Sequence, residues 1–187
     1  NRIAKSRFEL DGVRYTLLPS QGENQLHGGP EGFDKRRWKI VQQNDREVLF
    51  SLDSLDGDQG FPGNLTAFAR FTLTDDNRIA IEYRATVDKP CPVNLTNHAY
   101  FNLDGNQCDV RNHKLQILAD AYLPVDEMGI PYQGLKPVEG TSFAFRHAKS
   151  IAQDFLSDDD QRKVKGYDHS FLMQAPGDVK QTAAQVW

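Results

Sequence analysis

The stretch that decides the fold runs from Leu65 to Val87, LTAFARFTL-TDDNR-IAIEYRATV. Leu65, Ala67, Ala69, Phe71 and Leu73 recur at every second position. Asp75-Asp76-Asn77 then turns the chain, and Ile79, Ile81, Tyr83, Ala85 and Val87 resume the same period. Successive strand residues point to opposite faces, so this pattern reads as a β-hairpin. Toward the N-terminus, Val48, Phe50 and Leu52 form a strand whose partner, Trp38 and Ile40, lies across Gln43-Asn44-Asp45. Further out, Asp11-Gly12 joins Phe8 and Leu10 to Val13, Tyr15 and Leu17, a strong short-range hairpin signal. Toward the C-terminus, Val93 to Leu103 reads as one more strand. Only about Ala148 to Leu156 reads as helix, with Ile151, Ala152 and Phe155 on one face, and the charge run Asp158-Asp159-Asp160 with Arg162, Lys163 and Lys165 reads as a solvated loop. Many strands, turn-forming connections and almost no helix imply an antiparallel sandwich or barrel.

Composition narrows the function. The 187 residues carry 22 basic and 26 acidic side chains, a formal charge of −4, which argues against the basic face of a nucleic-acid binder. Mean hydropathy is −0.61 and no apolar run reaches the roughly 18 residues of a membrane-spanning helix. Cys91 and Cys108 form no CxxC pair, and two thiols in a chain of this length point to a reducing compartment. The chain opens on Asn1 rather than Met and stops at Trp187 inside an apolar alternation, so it is expected to be a fragment.

The polar residues that break the pattern carry the chemistry. On Val93–Leu103 one face is Val93, Leu95, Asn97, Ala99, Phe101 and Leu103, mostly apolar; the other is Asn94, Thr96, His98, Tyr100 and Asn102. Amides, a hydroxyl, an imidazole and a phenol donate and accept hydrogen bonds without fixed charge, which suits a neutral, hydroxyl-dense ligand such as a sugar. A polar strand face paired with its own loops is an equal reading. Asn24-Gln25-Leu26-His27-Gly28-Gly29 sets a histidine before two glycines, where the backbone can adopt positive φ and approach a ligand. Read alone, it is a turn with an exposed His. Asp56 to Gly63 is a turn-rich loop without the terminal Glu of a calcium-binding loop, and reads as a structured segment that shapes a pocket rim. In Tyr167-Asp168-His169-Ser170-Phe171 adjacent residues face opposite ways, so Asp168, His169 and Ser170 form no catalytic relay; one of Asp168 and His169 faces a site and the other faces away. His113 and His147 read as surface or structural residues. His27 and His98 lack further ligands for a metal, and none is assigned.

Taken in series, these segments resemble the galactose mutarotase (aldose 1-epimerase) family. The matching pieces are Asn1-Arg2-Ile3-Ala4, Asn24–Gly29, Gly32-Phe33-Asp34-Lys35 with Trp38, Gly60-Phe61-Pro62-Gly63, Asn97–Leu103, Tyr122-Leu123-Pro124-Val125-Asp126 and Tyr167-Asp168-His169. They cover the whole chain in order and look nearest to the enterobacterial cytoplasmic members, which implies a cytoplasmic location. The resemblance implies an all-β antiparallel supersandwich, here one partial domain over residues 1–187 that is incomplete at both ends. It implies a cofactor-free reaction that interconverts the α and β anomers of galactose or glucose. The His acid of the family falls on His98, and sugar-binding positions fall on Asn1, Arg2, His27, Tyr100 and Asp168, expected to converge with His98 on one concave site. The family's Glu base falls beyond Trp187.

Mutarotation opens a pyranose and recloses it on the other face of C1. Opening takes a proton from the anomeric hydroxyl and gives one to the ring oxygen, a task for a carboxylate and an imidazole near neutral pH. The competing readings are a non-catalytic carbohydrate-binding module, a hexose-6-phosphate 1-epimerase and a purely structural β-domain. The phosphate reading needs several basic residues near the site, where the placed motifs offer only Arg2. The expected partner is a small aldohexose, with no nucleic acid and no membrane. The fragment itself is expected to be nearly inactive and to self-associate through its open strand edges.

Overall fold

The computed structural model describes residues 1–105, 107–174 and 181–187. It divides into two compact units, Asn1–His98 and Ala99–Trp187. Every ladder among the described residues is antiparallel.

In the first unit the strands are β1 (Arg2–Ile3), β2 (Arg7–Leu10), β3 (Val13–Thr16), β4 (Gln25–Leu26), β5 (Lys39–Gln43), β6 (Glu47–Ser54), β7 (Leu65–Leu73) and β8 (Ile79–Val87). The deciding stretch is the hairpin its alternation foretells: β7 and β8 pair from Leu65↔Val87 to Leu73↔Ile79 without a slip. They extend a four-stranded sheet in the order β5-β6-β7-β8. Leu65, Ala67 and Ala69 of β7 are buried with Leu52 of β6, while Ile79 and Ile81 of β8, opposite Leu73 and Phe71, are exposed. The β2–β3 hairpin also forms as expected. Asp11 and Gly12 both take left-handed backbone (φ 52° and 75°), whose twist matches that of the flanking strands. Phe8 and Tyr15 face each other across this hairpin with ring centroids 5.1 Å apart, a cross-strand pair of about 0.5 kcal/mol.

In the second unit the elements are β9 (Lys114–Ile117), β10 (Ala119–Leu123), β11 (Lys136–Pro137), β12 (Lys149–Ser150), α1 (Asp159–Val164), β13 (Ser170–Met173) and β14 (Ala184–Val186). They build two three-stranded sheets, β11-β10-β13 and β12-β9-β14. Tyr122, Val138 and Phe143 form the core, with Tyr167 and Phe171 packed against it. Tyr122 and Phe143 stack at 3.9 Å between ring centroids.

Three expectations are corrected. Val93 to Leu103 is not a strand: residues 91–102 form neither strand nor helix, and Val93, Tyr100, Phe101 and Leu103 are exposed. Alternation makes a strand only where a neighbour completes the ladder, and the ladders among the described strands do not include these residues. The helix does not lie over Ala148–Leu156, where Lys149–Ser150 pairs with β9 and a 3₁₀ turn follows over Ile151–Asp154. It lies instead in the charge run. The Asp158 side chain accepts from the Gln161 N–H, Asp159 and Asp160 occupy the first turn, and Arg162 and Lys163 the last. Those charges complement the helix dipole at both ends, and Lys165 closes the helix at φ 62°.

Candidate active site

The first unit assembles four of the residues singled out in the sequence. The short β1–β4 ladder sets Arg2 opposite Leu26 and Ile3 opposite Gln25, so Arg2 lies beside the residue that precedes His27. The His27 N–H donates to the Asn1 carbonyl at 3.2 Å, and the Asn1 Nδ2 donates to the Asn94 carbonyl at 3.1 Å, which ties the segment leading to His98 to the same place. The His27 and His98 rings meet edge to face with centroids 5.5 Å apart. Arg2 Nε donates to Gln21 Oε1 at 3.1 Å, which fixes the guanidinium stem.

His27 takes left-handed backbone at φ 55°, followed by Gly28 at 84° and Gly29 at 103°. For a residue with a Cβ this costs of order 1–2 kcal/mol, so the surroundings must impose it. Gly32 is part of that imposition: a Cβ there would lie 2.2 Å from the His27 carbonyl oxygen. Partial desolvation lowers the His27 imidazole below its ordinary range, and repulsion from the Asn1 ammonium, His98 and Arg2 acts the same way against the pull of Asp34. A neutral imidazole can either donate or accept a hydrogen bond with a sugar hydroxyl.

Tyr100 and Asp168 belong to the second unit. Both are exposed, Tyr100 to 91%. Next to Asp168, His169 turns inward and packs edge-on against Phe143 (4.6 Å) and Tyr122 (5.7 Å). The His169 ring thus packs inward while its neighbour Asp168 is exposed. Of the other histidines, His113 is buried and His147 exposed. Among the described residues, no group of three His, Cys, Asp or Glu side chains is placed to hold a metal ion.

Motif reading gives Arg36 no role and takes Asp58 and Gln59 only as part of the turn-rich loop Asp56–Gly63. Asp58 accepts both guanidinium nitrogens of Arg36 (2.5 and 2.6 Å) and the Ser54 hydroxyl (2.6 Å). Burial opposes its charge, but these hydrogen bonds outweigh burial and hold the carboxyl below the usual range. The signal that could have found Gln59 is the turn-rich loop Asp56–Gly63, which has no purpose in a simple hairpin connection.

The sequence model of the family described as Aldose 1-epimerase matches residues 1–187. The chain is 75% identical to the aldose 1-epimerase of Escherichia coli strain K12 over 187 residues, which is all of this chain and 54% of that protein. It is 42% identical to the galactose mutarotase of Rattus norvegicus over 181 residues, covering 96% of this chain and 51% of that one. The crystal structure of a GalM/aldose epimerase homologue from C. elegans superimposes with a TM-score of 0.88 at 34% identity, covering all of this chain and 56% of that chain. The chain thus spans about half the length of the curated relatives it matches.

Proposed function

The chain belongs to the aldose 1-epimerase family, and from that premise we propose that the protein interconverts the α and β anomers of an aldohexose, galactose or glucose, by acid–base ring opening. The observation that carries this reading is the edge-to-face meeting of His27 and His98 beside Arg2 and Asn1, residues up to 97 positions apart in sequence. A substrate seated there has an imidazole within reach of its ring oxygen. His98 is the proton donor in this reading. It gives a proton to the ring oxygen as the C1–O bond opens and takes it back on reclosure from the other face. Arg2 and His27 hold hydroxyls and favour the negative charge that develops as the anomeric proton leaves, and Asn1 completes that side. The base at the anomeric hydroxyl is a glutamate that the family resemblance places beyond Trp187. The roles of Tyr100, an aromatic face for the sugar's CH surface, and of Asp168, an acceptor for its hydroxyls, rest on the resemblance alone. Residues 1–187 are taken as part of one family domain that includes both compact units.

Polarimetry on freshly dissolved α-galactose tests the assignment. In the intact protein His98→Asn should lower kcat by roughly 10²–10⁴, the range of a positioned acid. Near-normal turnover would remove His98 from the mechanism.

A further inference from the structure

We propose that Arg36 and Gln59 are positioning residues for His27: they clamp the Glu31 backbone at its carbonyl and its N–H and so hold the loop from His27 to Gly32 in the conformation that sets the His27 ring against His98. The proposal rests on reading His27 as a sugar-handling residue. Gln59 Oε1 accepts from the Glu31 N–H at 3.1 Å, while Arg36 Nε donates to the Glu31 carbonyl at 3.0 Å. Both jaws are themselves fixed. The Arg36 guanidinium forks onto Asp58, and Gln59 Nε2 reaches the same carboxylate at 3.4 Å. The Gln59 backbone is left-handed at φ 50°, and its carbonyl accepts from Leu18 N (3.0 Å) and Gln25 Nε2 (3.5 Å). Gly60 lies so close to β3 that a Cβ would meet the Thr16 carbonyl oxygen at 2.3 Å.

The clamp acts on the histidine through two glycines. Gly32 follows the clamped Glu31 and presses its bare Cα against the His27 carbonyl. Gly29, two residues after His27, lies under the Gln59 side chain, where a Cβ would sit 2.6 Å from Oε1 and 3.2 Å from Gln25 Nε2. The left-handed run from His27 to Gly29 is thus constrained at Gly29 by the Gln59 side chain and at the His27 carbonyl by Gly32. Released from the clamp, His27 would relax toward extended backbone and carry its ring away from His98.

The test uses Gln59→Met, which keeps the side-chain length but removes the acceptor, and Gly29→Ala, which displaces the same contact from the other partner. Phe71→Leu in β7 serves as a variant of comparable thermal destabilisation outside the loop. Two quantities are read in the intact protein: kcat/KM for galactose mutarotation, and the midpoint of the His27 imidazole titration by NMR. Both loop variants should lower kcat/KM about 10- to 100-fold, the scale of a misplaced catalytic group. Both should also raise the His27 midpoint toward that of an ordinary imidazole, because the ring leaves the neighbouring His98 and Arg2. Phe71→Leu should do neither. An unchanged His27 midpoint in the two loop variants overturns the proposal whatever the activity. A raised midpoint in a protein without mutarotase activity would leave the clamp standing and overturn the functional reading instead.

Discussion

At the scale of single residues, the decisive feature is a histidine in a conformation that histidines seldom adopt. The two glycines after His27 made a positive-φ loop legible in the sequence, and the structure places all three residues there. Gly32 was legible as part of a family motif but not as a spacer, because its φ of −63° is ordinary and its constraint comes from the His27 carbonyl behind it. Gly32→Ala should therefore cost about 1–3 kcal/mol through overpacking, seen as a lower urea midpoint, and should lower kcat/KM more than it lowers stability alone would require. Wild-type stability and turnover in that variant would show that the loop tolerates a Cβ. The loop that carries Gln59 is legible as a turn-rich segment, but its pairing with Arg36 is not, since it depends on hydrogen bonds to the Glu31 backbone 28 and 5 residues away, which no local pattern encodes.

At the scale of elements, hairpins were readable where two alternating runs lie side by side in sequence, as in β7–β8 and β2–β3. The segment 91–102 was not, because alternation cannot say whether a distant partner completes the ladder. The helix was misplaced for the opposite reason. Its signals were present, an Asp cap, acidic first turn and basic last turn, but they read as a solvated charge run. The structure shows why that run is ordered. Asp160 on α1 is buried and accepts from Tyr122 (2.7 Å), Lys163 (3.1 Å), Tyr132 (3.2 Å) and Lys136 (3.2 Å). Burial works against its charge, yet the donors from Tyr122, Lys163 and Lys136 outweigh burial and drive the carboxyl far below its ordinary value. A lowered carboxyl contributes stability that is present above its unfolded value near 3.8 and is lost as the pH falls through the folded value. Asp160→Ala should cost about 3 kcal/mol at neutral pH, the scale of a buried charge network deprived of one partner, measured by urea unfolding. A loss below the error of that measurement would mean the network contributes nothing net.

His169 acts in the same direction, over a higher pH range. Burial lowers its imidazole below 6.5 against the raising influence of Asp160, Asp168 and Asp158. Both ring nitrogens are enclosed without a hydrogen-bond partner among the described residues. The unfolded chain then binds a proton that the folded chain resists, so stability falls as pH drops below about 6.5 toward the folded value. His169→Phe, which keeps the aromatic packing on Phe143, should lose less stability than wild type between pH 7.5 and pH 5. Equal losses would show that His169 accepts its proton in the folded state without penalty.

At the scale of the whole molecule, the resemblance carried what periodicity could not. Alternation and turns led only to an antiparallel β architecture, whereas seven short motifs in order led to the family, and the family match over residues 1–187 agrees with them. In the proposed mechanism the acid is His98, and the base is a glutamate that the family resemblance puts outside residues 1–187. A polypeptide of these residues alone should therefore turn over galactose roughly 10²–10⁴ more slowly than the intact protein. Comparable rates would reveal a base within Asn1–Trp187.

The most direct test of the central claim is two-dimensional exchange NMR of galactose at anomeric equilibrium with the intact protein. If His98 is the acid, α–β cross-peaks should grow with protein concentration and fall to near the buffer rate with His98→Asn. Line broadening from sugar binding, with exchange no faster than in buffer, would contradict it and identify a binding module instead.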